Sequence, residues 1–144
     1  MSDKIKHECG IAMLRLRKPL EFYIEKYGTW NYGLQKMYLM MEKQHNRGQD
    51  GAGIAGIKLN LLPGNRYIFR QRSNLANPIK ELFTAIYQDI DAVKRRSGEE
   101  FNNPDFIRAK VPFACDIYLG HLRYGTYGNY NIDYVHPVSR ENNW

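Results

Sequence analysis

Residues 8–14 read ECGIAML, a cysteine and a glycine leading into an apolar run. On the residues alone, two readings of Cys9 are open. Free cysteine is among the most often buried side chains, so Cys9 can be a small apolar residue at the edge of a strand. That is the reading the residue type alone favours; the other is a nucleophile that becomes residue one once the lead-in MSDKIKHE, residues 1–8, is cut away. The second reading needs a base. His7 precedes Cys9 in the same extended segment and tends to point elsewhere. The α-amino group that Cys9 would carry at a new chain start has an unperturbed pKa of about 7.7–8.0, suited to general-base work beside a side-chain nucleophile. Gly10 leaves room for backbone or substrate to approach closely.

Working outward, residues 9–16, CGIAMLRL, are apolar on both faces, which predicts a strand covered on both sides. Pro19 and the charged stretch after it end that run. Residues 31–45, NYGLQKMYLMMEKQH, place Leu34, Met37, Tyr38 and Met41 on one helical stripe, with Asn31 as N-cap and the methionines as core filling. HNRGQDGAG, residues 45–53, reads as a turn feeding a strand at 54–60, IAGIKLN. LLPGNR suits a type II turn, and YIFRQR, 67–72, is its hairpin partner. Asn77-Pro78 is a cap followed by a first-turn proline. Ile79, Leu82, Phe83, Ile86, Ile90 and Val93 then trace a stripe that predicts a helix over 78–96, stopping before Gly98. Residues 99–110 are a polar connection with one helical turn after Asn103-Pro104. FACDIYLGHLRY, 113–124, alternates like a strand, and the Gly/Asn-rich tail from Gly125 looks like a loop lining something. The order strand, helix, strand, strand, helix, strand predicts an α+β fold with a mostly antiparallel sheet.

At 144 residues the chain has the length of one domain, and 43% apolar with 25% charged residues is ordinary for a soluble globular chain. Eleven tyrosines suit half-buried surfaces and clefts. The net charge of +6 admits an anionic partner, but the basic residues are spread out. Their densest cluster, Lys94-Arg95-Arg96, sits where it complements the dipole of the predicted helix. No aromatic-basic stacking motif stands in the sequence, so no nucleic-acid partner is expected. Cys9 and Cys115 make no disulfide framework, and no Cys/His pair has zinc spacing. Cys115, His45 and His136 read as structural residues. The lead-in lacks an apolar signal region, no window approaches a membrane span, and a reducing cytoplasm is the expected compartment.

Two further motifs carry chemistry. In HNRGQDGAG, Gly48, Gly51 and Gly53 allow chain reversal and close backbone contact, while Arg47 and Asp50 could pair or bracket a polar ligand; taken by themselves the glycines read as an ordinary helix-to-strand turn. In LGHLRYGTYG, residues 119–128, a strand end carries His121, Arg123, Tyr124 and Thr126 ahead of a glycine-rich loop. The planar fork of Arg123 suits capture of a carboxylate, or a surface ion pair.

Cys-Gly-Ile, then His-x-Arg-Gly-Gln-Asp-x-Ala-Gly, then Gly-His-x-Arg-Tyr-x-Thr resembles, in this order, the class II glutamine amidotransferase (glutaminase) domain of the N-terminal-nucleophile hydrolases. RGQDGAG is most similar to the amidophosphoribosyltransferase branch, which starts de novo purine synthesis. The likeness is concentrated in residues 8–16, 41–56 and 117–128. It implies an αββα sandwich of mostly antiparallel sheets, with residues 1–8 a propeptide-like lead-in and residues 9–144 the N-terminal part of an incomplete domain. It also implies the roles. Cys9 attacks the side-chain amide carbon of glutamine, its own amine shuttles the proton, ammonia leaves, and water hydrolyses the thioester to glutamate. Arg123 would hold the substrate α-carboxylate, with Tyr124 and Thr126 shaping the pocket. Arg47, Gly48, Asp50 and His121 would support the loops.

In an intact enzyme, expected to be a homo-oligomer, the ammonia would pass to phosphoribosyl pyrophosphate in a second domain absent from this sequence. Mg2+ belongs to that domain, and no cofactor is expected in this portion. Asn46 is an extra residue between His45 and Arg47 and is expected to alter the helix end. The stretch 73–112 looks like an insertion. The family's Asn-Gly oxyanion donors would lie beyond Trp144, so little activity is expected of these residues alone. A sister amidotransferase with another acceptor, or a non-catalytic remnant of the fold, remains open as an alternative.

Overall fold

The computed structural model describes residues 8–125 and 131–139. The elements run β1 (Gly10–Arg15), α1 (Leu20–Tyr27), α2 (Tyr32–Lys43), β2 (Gly51–Ile57), β3 (Ile68–Ser73), α3 (Pro78–Ser97), α4 (Pro104–Lys110) and β4 (Ile117–Arg123). The strands form one antiparallel sheet in the order β1-β4-β2-β3, so the class is α+β.

α3 follows its sequence signals closely. It opens with Pro78 after Asn77 and stops at Gly98, whose φ of 55 only glycine adopts cheaply. Its stripe from Ile79 to Ile90 is buried against β2 and β3. α2 lies beside it over β1 and β4, with Leu34, Met37 and Met41 fully buried. Gly120 makes that contact possible: a Cβ there would stand 2.8 Å from Met37 Cε and 2.9 Å from Met41 Sδ. The core is the layer between these helices and one sheet face carrying Ala12, Ile54, Phe69, Tyr118 and Leu122. Each large side chain buried there contributes about 1.5–3 kcal/mol.

The opposite face differs from expectation. β1 is not covered on both sides: Ile11 is 67% and Met13 63% exposed, and their neighbour Leu119 is exposed as well. α2 and α3 both pack on one side, so the apolar alternation of an edge strand is left half in solvent.

Other boundaries shift for local reasons. α1 forms where Pro19 and the charged stretch suggested only a break; Pro19 occupies its N-cap, and Gly28 at φ 72 closes it. Tyr38, placed on the buried stripe of α2, is exposed and meets Phe83 edge-on at 5.1 Å. Asn31 stands at the N-cap, but its side chain bonds Thr29 and caps no helical N–H. β2 begins at Gly51 and ends at Ile57, so two of the expected turn glycines are strand residues. α2 ends at Lys43, and the extra Asn46 sits in a tight 3-10 turn, His45–Arg47. Gly64 at φ 85 fits the type II turn. α4 is longer than one turn, with Asn103 Oδ1 accepting the Asp105 N–H at 2.9 Å. β4 starts four residues later than predicted, because Phe113 takes a φ of 57. The Tyr118 hydroxyl holds that corner, donating to Phe113 O at 2.7 Å and accepting from Cys115 N at 3.1 Å. The stretch 73–112, which looks like an insertion, supplies α3 and so one wall of the core.

Candidate active site

Antiparallel pairing brings the three motifs to one end of the sheet. Gly10 is opposite Leu122 and Gly51 is opposite Arg123, so Cys9, Asp50 and Tyr124 are all one step beyond paired residues. The exposed Cys9 Sγ accepts the Tyr124 N–H at 3.4 Å and lies 4.0 Å from Tyr124 O. A backbone N–H is thus aimed at the sulfur. Asp50 grips the same segment twice: its N–H donates to Arg123 O at 3.0 Å, and its Oδ2 accepts the Gly125 N–H at 2.7 Å. Gly48 packs below, where a Cβ would stand 2.6 Å from backbone atoms of Leu122 and Arg123.

The glycines of the second motif serve close approach more than reversal. Residues 131–137 cross the open sheet face directly over β2. A Cβ on Gly53 would stand 1.9 Å from His136 O, and one on Gly51 2.7 Å from Val135. Arg72 ties this strap down, with Nη1 donating to Ile132 O and Val135 O, both at 3.0 Å. Sequence reasoning passed over Arg72. Its alternation with Arg70 in YIFRQR was the available signal. The strap is the part of the expected loop lining that falls among the described residues.

His121 and Arg123 share the strap's face. Arg123 is buried, its guanidinium carbon 5.2 Å from the Tyr134 ring centroid. The His121 ring meets His136 edge-on at 5.1 Å, and its buried Nδ1 has no hydrogen-bond partner among the described residues. Burial, then His136, then Arg123 hold the His121 pKa below its usual value. No contact brings His121 to Cys9, so the thiol has no imidazole base among the described residues. Glu8 precedes Cys9, whose nitrogen is therefore an amide here.

Of the residues singled out by sequence, Cys9, Gly48, Asp50, Tyr124 and the backbone of Arg123 are brought together. His121 and the Arg123 side chain face the strap. Arg47 is exposed on the 3-10 turn and makes no side-chain hydrogen bond or ion pair among the described residues. Thr126 and His7 lie outside the described residues. Gly10 faces the helices, where a Cβ would stand 3.1 Å from Gln44 Oε1. Cys115 is buried just before β4, and burial pushes its thiol up to about 12, consistent with an inert packed cysteine. His45 is exposed and His136 partners His121.

A cavity of about 340 Å3 opens between the 45–49 turn and the start of α3, with Glu42, His45, Gln49 and Lys80 in its wall. Cys9 does not line it. Among the described residues no cluster of His, Cys, Asp and Glu is fit to hold a metal, and no helix is long and apolar enough to cross a membrane. Compared with protein-family models, curated proteins and solved structures, the chain matches none of them.

Proposed function

We propose that this chain carries the nucleophile-bearing portion of a class II glutamine amidotransferase glutaminase domain, of the amidophosphoribosyltransferase type. One observation carries the reading. Three motifs far apart in sequence meet at one end of the sheet: Cys9 Sγ is 3.4 Å from Tyr124 N, and Asp50 Oδ2 braces the same turn at 2.7 Å from Gly125 N. A merely structural cysteine at a strand edge does not require that convergence.

In this reading, removal of residues 1–8 converts the Cys9 amide into a free amine. That amine takes the thiol proton, and the sulfur attacks the γ-amide carbon of glutamine. The proton is passed to the leaving nitrogen, ammonia departs, and a thioester remains for water to cleave to glutamate. The Tyr124 N–H steadies the sulfur. Arg123, two residues beyond His121 on the strap-covered face, would bind the substrate carboxylate, and ammonia would go on to phosphoribosyl pyrophosphate. The open apolar face around Ile11 and Met13 is compatible with one half of an αββα sandwich. Two free cysteines suit a reducing cytoplasm.

The test is to express the full-length gene and treat the product with a diazoketone analogue of glutamine. Loss of residues 1–8 and a mass adduct on Cys9 are expected. An unlabelled Cys9 that still follows Glu8, in protein that releases ammonia from glutamine, would sink the assignment.

A further inference from the structure

The sequence shows no run in which aromatic and basic residues alternate, but folding of α1 against the start of α2 creates such a surface. Tyr27 and Tyr32 stack with centroids 4.3 Å apart and planes 23° apart, and Tyr23 backs Tyr32 at 5.2 Å. Tyr27 is 45% exposed. Ammonium groups border these rings: Lys26 Nζ lies 5.4 Å from the Phe22 centroid and 5.5 Å from Tyr27, Lys18 5.9 Å from Phe22, and Lys36 5.3 Å from Tyr32. Beyond Tyr32 an open groove of about 500 Å3 continues along α2, lined by Lys36, Leu39, Met40 and Lys43.

None of Lys18, Lys26, Lys36 and Lys43 forms an ion pair with a carboxylate among the described residues. Glu21 and Glu25 lie on a separate stripe of α1, turned about 100° from Phe22 and Lys26 and about 200° from Tyr23 and Tyr27. α1 and α2 carry Glu21, Glu25 and Glu42 against Lys26, Lys36 and Lys43, so this face is positive by the placement of its lysines beside the rings, with Lys18 added from the chain before α1, and not by the net charge of its helices. α2 has 12 residues, about 18 Å of helix, longer than one nucleotide.

We infer that the α1–α2 face binds single-stranded nucleic acid. The lysines take successive phosphates, the exposed ring of Tyr27 offers a π-surface to a base, and the groove beside Tyr32 receives the next one. Charge alone would suit any polyanion. The stacked, partly exposed rings set among the cations are what favour a partner that carries planar bases as well as phosphates. This surface is separate from Cys9 and does not rest on the glutaminase reading.

The test is fluorescence anisotropy of a labelled 12-nucleotide oligo(dT) with the full chain at several salt concentrations. Binding should weaken with a log–log salt slope near −3, about −0.7 for each of the four phosphates that the lysines take. Tyr27→Ala should weaken binding about tenfold and Tyr27→Phe should restore it, while K26E/K36E should weaken it at least tenfold, all with unchanged circular dichroism. Wild-type affinity in Tyr27→Ala, or no binding at 50 mM salt, overturns the proposal. So does displacement of the oligonucleotide by heparin or phosphatidylserine vesicles as effective as by unlabelled oligo(dT), because that would be binding to charge alone.

Discussion

The carboxylate of Asp50 accepts the backbone N–H of Gly125 at 2.7 Å, while the Asp50 N–H donates to the carbonyl of Arg123 at 3.0 Å. One residue thus holds both sides of the turn whose middle member, Tyr124, faces the Cys9 sulfur. Asp50→Ala removes a charge-assisted hydrogen bond at a partly exposed position. A loss of about 1 kcal/mol in urea unfolding is expected, with Asp50→Asn losing less because it keeps an acceptor oxygen. In the glutaminase reading, both variants should also slow labelling of Cys9 by the diazoketone.

Cys9 itself is exposed and carries little of the fold. Cys9→Ala should change stability by less than about 0.5 kcal/mol and, in the glutaminase reading, abolish labelling by the diazoketone and whatever ammonia release the full-length gene product shows. Cys115→Ala, by contrast, should leave labelling intact.

Gly53 has no room for a side chain, since a Cβ would fall 1.9 Å from His136 O. Gly53→Ala must lift the strap or bend β2, at a cost of about 1–3 kcal/mol in thermal unfolding. Gly64, with open space around it, should tolerate alanine at the smaller expense of its positive φ.

Lys58 is buried, with Nζ donating to Arg108 O at 2.8 Å and Val111 O at 2.6 Å, and lying 4.8 Å from the Phe69 centroid. Burial lowers its pKa from 10.5 to about 8. Between those values the unfolded chain holds the proton that the folded chain has released, so stability rises with pH through this window. Cys115, raised from 9.0 to about 12, acts in the opposite sense, costing stability as pH climbs above 9. Relative to Lys58→Met, the natural chain should gain stability from pH 8 to 9, and Cys115→Ala should extend that gain to higher pH. A Lys58→Met difference that stays flat with pH would refute the account.

The lowered pKa of His121 has its own window. Below about 6.5, the usual histidine value, the unfolded state takes the proton first, so the folded state weakens as pH falls. His121→Gln should flatten the fall in urea midpoint between pH 7.5 and 5.5, provided that the strap keeps its place.

The local signals in the sequence were strongest where capping and periodicity agreed. Asn77-Pro78 and Gly98 bracket α3 to within a residue, and its stripe faces the core as expected. α1 has no such signal, because Pro19 reads as a stop, whereas it precedes a helix whose tyrosines find partners across the turn, at Tyr32. The start of β2 was hidden for a related reason. Gly51 and Gly53 carry turn composition, yet they are glycine because Val135 and His136 cross over them, a contact from more than 80 residues along the chain. The exposed Ile11 and Met13 depend on which face the helices choose, which alternation alone does not fix. At the site, the register placing Cys9 beside Tyr124 is a property of the pairing between β1 and β4, and spacing within either strand does not reveal it.

The strand order has a consequence for synthesis. β1 and β2 share no ladder, and each is joined to the other only through β4, the last of the four described strands in chain order. The β2–β3 hairpin and its helices can form early, but Gly10–Arg15 has no partner until Ile117–Arg123 has emerged. The first strand is therefore made without its partner, the β1–β4 contact is among the most distant in sequence, and a slow, aggregation-exposed interval lasts until β4 has emerged.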